Sequence, residues 1–295
     1  MNIHILGKGA WGAALGHTLQ KNGHSVQWSD HTDPALWMEA IDFVLLVVPS
    51  KFLLAELRRW PRPVCPVISA VKGIEPDNFK RVSEIVEISW GSVKFAALSG
   101  PSFAEEVSKD MPTAVVAASA DQKIAEQVQQ LFHRPEFRVY RSDDVTGLEL
   151  GGALKNVYAI AAGQCAALGL GANTQAALVT RALAEMVRVG TALGGRRETF
   201  MGLSGVGDLM LTCYGGLSRN RQFGEWIVKD RAQAATMIAG VAEGVTSVKA
   251  ICHLASLAGV HAPLAEEIYK VIYDNKSPEE ALRDLLARAP VEEIR

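Results

Sequence analysis

Short, nearly continuous apolar runs dominate the first half of the chain. Asn2–Leu6, Asp42–Val48, Val64–Ala70 and Phe95–Ser99 are too short for buried helices and read as buried strands. His24–Trp28, Thr113–Ala118 and Phe137–Tyr140 add further strands. Between them the spacing turns helical, over Ala13–Asn22, Phe52–Trp60, Asn78–Glu87 and Asp121–Phe132. Strands and helices in alternation predict an α/β, doubly wound parallel sheet with right-handed crossovers. After Tyr140 the strand signal stops. Helical spacing takes over at Asp143–Gly163, Asn173–Leu193, Asn220–Lys229, Thr246–Ala258, Pro263–Tyr273 and Ala281–Arg288. Ser277-Pro278-Glu279-Glu280 reads as a helix start, with a serine cap, proline at N1 and glutamate at N3. The chain is therefore expected to divide into a sheet domain, residues 1–141, and an all-α C-terminal domain, residues 142–295.

The first strand runs straight into Gly7-Lys8-Gly9-Ala10-Trp11-Gly12, and a helix follows. That context gives G-x-G-x-x-G its mechanism. The first glycine allows the tight turn, the second lets the backbone meet a pyrophosphate, and the third allows close helix–strand packing. A Rossmann-type dinucleotide site is the expectation, held by Gly7, Gly9 and Gly12. Asp30 ends the second strand, where an acid would bind a ribose 2′-hydroxyl, and the adjacent His31 would suit a 2′-phosphate. Ligands of such sheets lie beyond the carboxyl ends of the strands. Pro49-Ser50, Lys72-Gly73 and Gly100-Pro101-Ser102 stand there. Lys72 is placed to reach into the cleft, and Ser102 either meets substrate or caps the helix that follows.

In the second half one helical column is odd. Gly147, Gly151, Lys155, Ala159 and Gly163 lie four apart, hence on one face, and all but Lys155 are small. Interior glycine costs about 1 kcal/mol relative to alanine, so something wants this face bare. Lys155 is then either a placed catalytic ammonium or a seam lysine that reaches out to solvent. Asp208 and Thr212 are four apart and share a face if their segment is helical. Gly215-Gly216-Leu-Ser218-Arg219-Asn220 offers a cap serine and donors at a helix start, which suits a phosphate. Glu243 stands in a loop of small residues and is uninformative alone.

Composition narrows the class. The 295 residues are 48% hydrophobic and 21% charged, ordinary for a globular protein, and two domains are the natural prior. A net charge of −2 gives no field for nucleic acid or an anionic membrane. The cysteines are scattered, with no C-x-x-C and no H-E-x-x-H, so neither a disulfide scaffold nor a metal site is expected. No apolar stretch reaches the roughly 20 residues a bilayer needs, and no basic leader precedes the first strand. A cytoplasmic protein without membrane insertion is expected.

Taken in order, these segments resemble the NAD(P)-dependent glycerol-3-phosphate dehydrogenases of the bacterial type. The matching motifs are Gly7-x-Gly9-x-Trp11-Gly12, Val71-Lys72-Gly73, Ser99-Gly100-Pro101-Ser102-Phe103-Ala104, Gly152-Ala-Leu-Lys155-Asn156, Gly207-Asp208-Leu, Ser218-Arg219-Asn220 and Glu243-Gly244. The resemblance covers nearly the whole chain. It implies interconversion of sn-glycerol 3-phosphate and dihydroxyacetone phosphate with NAD or NADP, for phospholipid synthesis, by a homodimer. It implies that Lys155 accepts or donates the proton, with Thr212 as a further active-site group. Lys72, Gly100, Ser102, Lys155, Asp208, Ser218, Arg219 and Asn220 would handle substrate. Trp11, His31, Lys72, Ala104, Arg219, Val241 and Glu243 would touch cofactor, and Ala10 through its backbone. Three departures stand out. Ala10 replaces a usual serine, a proline-rich loop after the second strand is missing, and Trp28-Ser29-Asp30-His31 lacks the arginine many relatives carry. The rival of the same architecture is a 3-hydroxyacid dehydrogenase or ketopantoate-type reductase, which would need a carboxylate grip in place of a phosphate grip. A rival of another class is a cofactor-sensing regulator, which would have no use for Lys155, Asp208 and Arg219 together.

Overall fold

The structure, a computed structural model, describes residues 1–37, 40–238, 242–290 and 292–293. The first half forms strands β1 (Asn2–Leu6), β2 (Ser25–Ser29), β3 (Phe43–Leu46), β4 (Val67–Ser69), β5 (Phe95–Ser99), β6 (Thr113–Ala118) and β7 (Phe137–Ser142). Helices α1 (Ala10–Lys21), α2 (Ser50–Arg59), α3 (Val82–Trp90), α4 (Ala104–Ser108) and α5 (Gln122–Phe132) alternate with them. The sheet order is β2-β1-β3-β4-β5-β6-β7. Strands buried on both faces need no alternation, which is why β1 and β3 to β5 read as nearly continuous apolar runs, broken within β1 only by buried His4.

The expectation of an all-parallel sheet needs one correction. β6 runs antiparallel to β5, with Leu98 opposite Ala117, whereas β7 is again parallel to β6. The link from Gly100 to Pro112 carries only the five-residue α4, too little helix to return the chain to the amino ends of the strands, as a parallel partner of β5 would require. A second correction concerns the helix expected at Asn78–Glu87, which starts at Val82 and runs on to Trp90. Buried Glu75 accepts the N–H groups of Asp77 and Asn78 at 3.0 and 2.7 Å, and Phe79 takes a φ of +60°. These residues form a closed loop that competes with helix, and Phe79 packs on His253 of the second half at 4.4 Å between ring centres.

The link between β2 and β3 shows no helix among its described residues. Trp37 lies there and covers the sheet face beside Trp60, at 4.4 Å between ring centres, and Trp90, at 5.9 Å. Trp37 also donates to the Pro61 carbonyl at 2.9 Å.

The second half is helical: α6 (Val145–Ala167), α7 (Ala172–Ala192), α8 (Arg197–Phe200), a π-helical turn (Leu203–Gly207), α9 (Asp208–Tyr214), α10 (Arg219–Lys229), α11 (Arg231–Ile238), α12 (Glu243–Leu257), α13 (Pro263–Tyr273) and α14 (Pro278–Leu286). The expected start of α14 is realised as a capping box between Ser277 and Glu280. Helix α6 is buried on all sides and forms the axis of this half. Its bare column is a seam: a side chain on Gly163 would collide with the Arg221 carbonyl of α10, and one on Gly224 with the Ile160 carbonyl of α6. Gly151 likewise admits the Ser204 carbonyl of the π-helical turn. The glycines serve packing, and Lys155 is the exception within them. It is 7% exposed and does not reach out to solvent.

Candidate active site

The glycine turn brings β1 into α1 without a side-chain cap: Gly9 is the N-cap residue, and among the described residues no side chain accepts from the first N–H groups of the helix. Gly7 takes a φ of +120°, which few other residues tolerate. A side chain at Gly12 would strike the Gly7 carbonyl, whereas one at Gly9 would point into open space. Uncapped amides facing an open cradle fit a pyrophosphate. Ala10 is the first residue of α1. Trp11 donates its indole N–H to the Ala70 carbonyl at 3.2 Å, and its ring lies 5.9 Å from the Lys72 ammonium. Ala104 opens α4 and packs with Trp11 against the same apolar cluster. Trp11 thus links the nucleotide turn to the chemistry beside it.

That chemistry centres on Asp208. It stands at the start of α9, 1% exposed, and its two oxygens divide between two lysines. Lys155 donates to Oδ1 at 3.0 Å, and Lys72 donates to Oδ2 at 2.7 Å. Thr212, one turn further along α9, accepts from Lys155 at 2.8 Å and donates to the Asp208 carbonyl at 2.6 Å. Lys72 also donates to the Gly100 carbonyl at 2.7 Å and reaches the Ser102 hydroxyl at 3.3 Å. Ser102 does not cap α4. Its hydroxyl donates to the Gly100 carbonyl at 2.8 Å, and Phe103 is the cap residue. Gly100, with a φ of +139°, turns the chain so that its carbonyl faces Lys72. A side chain at Gly152 would crowd the Ser99 hydroxyl at 3.1 Å and make ordinary contact with the Lys72 stem at 3.5 Å.

Burial pulls the Lys72 ammonium down to about 8, helped by the charge of Lys155 and opposed by Asp208. Burial alone would raise the Asp208 carboxyl, yet the two ammonium groups outweigh it and hold the carboxyl below its ordinary value. Two cations share one anion, so the cluster carries a net positive charge in a place largely closed to water. Such a place attracts an anionic oxygen or a phosphate.

A chain of amides fixes this cluster against its surroundings. Asn156 donates to the Lys72 carbonyl at 2.8 Å, Asn220 donates to Asn156 at 2.9 Å, and Gly244 N–H donates to Asn220 at 2.9 Å. Asn220 is thereby committed to protein partners on both sides. Ser218 caps α10 by accepting the Arg221 N–H at 3.2 Å, and Arg219 is the first residue of that helix. Glu243 accepts the Ser50 N–H at 3.0 Å and the Ser50 hydroxyl, joining the start of α12 to the start of α2. A side chain on Gly73 would strike both Glu243 and Ser50. Burial raises the Glu243 carboxyl, against the pull of the Ser50 bonds and the Arg219 charge. Glu149 of α6 makes a second stitch, accepting from Arg81 at 2.8 Å and from Ser83 N–H at 2.7 Å. Val241 lies outside the described residues.

The lysine–aspartate–threonine cluster, stitched to a glycine-turn sheet, can be compared with known proteins. Residues 29–125 match the family model for the NAD-dependent glycerol-3-phosphate dehydrogenase N-terminus, and residues 144–283 match the model for its C-terminus. The chain belongs to the NAD-dependent glycerol-3-phosphate dehydrogenase family. A curated relative from Maridesulfovibrio salexigens, glycerol-3-phosphate dehydrogenase [NAD(P)+], is 40% identical over 324 residues, covering 98% of each chain. That span exceeds the 295 residues here, so the relative carries segments this chain lacks. The crystal structure of glycerol-3-phosphate dehydrogenase from Coxiella burnetii superposes with a TM-score of 0.90 at 32% identity, over 97% of this chain and 99% of that one. A ketopantoate reductase from Ralstonia eutropha reaches a TM-score of 0.59 at 15% identity, which is likeness of fold alone.

Within this family site, the contacts of Lys8 and Ser50 escape a reading by motif, and Asp30 is engaged in a way the motif does not tell. Lys8, the residue between the first two glycines, turns to the end of β2, where its ammonium lies 2.6 Å from Asp33 and 3.9 Å from Asp30. A lysine inside the glycine turn was the available signal. Ser50 follows a strand end, but its partner Glu243 is far away in sequence. Asp30 follows β2 as expected, yet one of its oxygens is taken by the Thr32 N–H at 2.9 Å and the Thr32 hydroxyl at 2.6 Å. His31 is exposed in the same turn.

Proposed function

We propose that the chain is an NAD(P)-dependent glycerol-3-phosphate dehydrogenase, interconverting sn-glycerol 3-phosphate and dihydroxyacetone phosphate. The single observation that carries the reading is the sharing of Asp208 by Lys72 and Lys155 beside Thr212. When bound, the nicotinamide supplies or accepts a hydride at C2 of the substrate. The chain's own residues manage the charge and the proton on the C2 oxygen. Lys155 has three N–H donors. Among the described residues two are engaged, by Asp208 and Thr212, and the third is available to the substrate oxygen. Lys72 has engaged all three, with Asp208, Gly100 and Ser102. Lys155 is therefore the proton donor in ketone reduction and the acceptor in the reverse direction, and Lys72 steadies negative charge. Asp208 stays ionised and aims both lysines. Thr212 fixes the rotation of the Lys155 ammonium. Arg219 and the start of α10 hold the phosphate, with Ser218 and Asn220 keeping that helix start in place. Gly7, Gly9, Ala10, Trp11 and Gly12 bind the cofactor, and Ala104, Asp30, His31 and Glu243 line its path.

One observation favours a second assignment within the same reaction. The Lys72 proton is held near pH 8, closer to working pH than an ordinary lysine, which suits a general acid. The spare donor on Lys155 outweighs it, because each of the three Lys72 protons is already donated to an acceptor and must leave it to reach substrate. The domain division falls between β7 and α6, so that Lys155 faces the carboxyl ends of the strands. The enzyme works in the cytoplasm as a homodimer and supplies glycerol 3-phosphate for phospholipid synthesis. The test is oxidation of NADH or NADPH with dihydroxyacetone phosphate against a panel of 2-keto acids. Turnover confined to the phosphate substrate supports the proposal. Turnover confined to a keto acid moves the protein to the reductase reading, and cofactor binding without turnover makes it a regulator.

A further inference from the structure

We infer that Lys8 and Asp33 together set the choice between NAD and NADP. The inference rests on the dehydrogenase reading and deepens it. The group at the end of β2 meets the 2′ position of the adenosine ribose in folds of this kind. Here that position is furnished from two sides. From the glycine turn comes the Lys8 ammonium, and from the segment after β2 come Asp30 and Asp33. Asp33 does two things with one oxygen. It accepts the Asp30 N–H at 2.8 Å, closing the turn, and it holds the Lys8 ammonium at 2.6 Å. Asp30 has one oxygen engaged by Thr32, and its other oxygen lies 3.9 Å from Lys8.

The charge count follows. Two carboxylates face the Lys8 ammonium, and Arg59, which donates to the Asp33 carbonyl at 2.9 Å, is paired with Glu56, so the edge is net negative and the cations a 2′-phosphate would need are already paired. A 2′-hydroxyl finds an acceptor there, whereas a 2′-phosphate meets repulsion. Asp33 is what ties the cation up. Without its charge, Lys8 would stand beside the 2′ position with only Asp30 to answer, and the preference would move towards NADP. The Lys8 and Asp33 side chains are 43% and 32% exposed, so water screens the pair and the effect is graded.

Equilibrium fluorescence titration of NADH and NADPH tests this without relying on turnover. Wild type is expected to bind NADH more tightly. Asp33→Asn keeps an oxygen for the Asp30 N–H but removes the charge. It should tighten NADPH about three- to tenfold, with NADH little changed. Lys8→Met should shift the ratio of dissociation constants the other way. The double variant should lose the gain, because the cation that made it is gone. An unchanged ratio in Asp33→Asn overturns the inference, and so does a double variant that keeps the gain, which would mean simple relief of repulsion. The opposite sign expected for Lys8→Met keeps the inference open to refutation if Asp33→Asn melts early. A wild-type protein that binds neither cofactor sinks the dehydrogenase reading itself, a different outcome from either.

Discussion

Two clusters of lysine and aspartate use the same functional groups for different ends. In the inner one, Asp208 is 1% exposed and holds Lys72 and Lys155. In the outer one, Asp33 holds Lys8 at the edge of the sheet. Burial separates them. Around Asp208 each charge is stripped of water, so contacts are fixed and removal of one partner strands another. Burial also brings Lys72 down to about 8, into the range where its proton matters. At the edge, the hydrogen bond from Lys8 holds the Asp33 carboxyl below its ordinary value, and the carboxylate raises Lys8, but neither group approaches neutral pH. On the proposed reading, the inner cluster serves the chemistry and the outer one the choice of cofactor.

The largest expected effect lies at Lys155. Lys155→Met keeps the apolar stem within the α6 seam and removes the ammonium. General acid–base catalysis typically contributes about 10²–10⁴-fold, so kcat should fall by at least about 10²-fold, with NADH affinity little changed. Circular dichroism checks the fold. A folded variant with near wild-type kcat would transfer the proton role to Lys72.

Asp208→Asn asks whether burial is what distinguishes the clusters. It leaves two buried ammonium groups facing a neutral amide, and loss of one partner from a buried pair costs about 3–5 kcal/mol. A clear fall in Tm is expected, while Asp33→Asn should barely move it. Equal shifts would mean that the inner site is wetter than its exposure indicates.

Most of this frame was legible in the sequence, for identifiable reasons. Doubly buried strands print as apolar runs, and the glycine turn has few alternative uses, so β1, α1 and the strand ends could be placed. Helix α6 was legible through its glycines, although they answer to Arg221 and Ser204 carbonyls and not to a ligand. What could not be read were contacts between residues far apart in sequence. Glu243 on Ser50, Glu149 on Ser83 and Asp33 on Lys8 leave no periodic trace. The reversal of β6 was hidden too, because an apolar strand looks alike in either direction.

Arg219 carries the next effect. Arg219→Ala should raise KM for dihydroxyacetone phosphate by about 10–100-fold, the scale of a hydrogen bond to a charged group. The rise for unphosphorylated dihydroxyacetone should be much smaller. Equal losses on both substrates would remove Arg219 from the phosphate grip.

The inner cluster also makes a claim about pH. Lys72 has a folded value of about 8, below the ordinary 10.5. Its ammonium is present below about pH 8 and is lost as pH rises through it. Between there and the unfolded value, the unfolded chain binds more protons, so this group's contribution to stability rises with pH. Catalysis should move oppositely. With the charge gone the substrate oxygen loses a steadying cation, so kcat/KM for reduction should fall above about pH 8. Lys72→Arg, which keeps its charge to far higher pH, should shift that limb in the alkaline direction. A limb that stays in place belongs to another group.

The smallest effect is expected at Asp30, and its size separates the two acids of the outer cluster. Thr32 engages one Asp30 oxygen twice, and those bonds, more than the distant Lys8, hold its carboxyl below the ordinary value. Asp30 is therefore partly spent on its own turn, whereas Asp33 controls the cation. Asp30→Ala removes a negative charge from the edge but leaves Lys8 paired with Asp33. The ratio of kcat/KM values should shift towards NADPH, by only about two- to fivefold, as for an exposed charge in water. Raising the salt concentration should shrink that shift, because the Debye length falls from about 10 Å at 0.1 M to about 3 Å at 1 M. If Asp30→Ala instead shifted the ratio more than Asp33→Asn, the strand-end acid would govern the choice by itself. Lys8 would then be an ordinary surface lysine. If the ratio did not move, Asp30 would serve only its turn, and Asp33 would be the one acid at the edge that the cofactor feels.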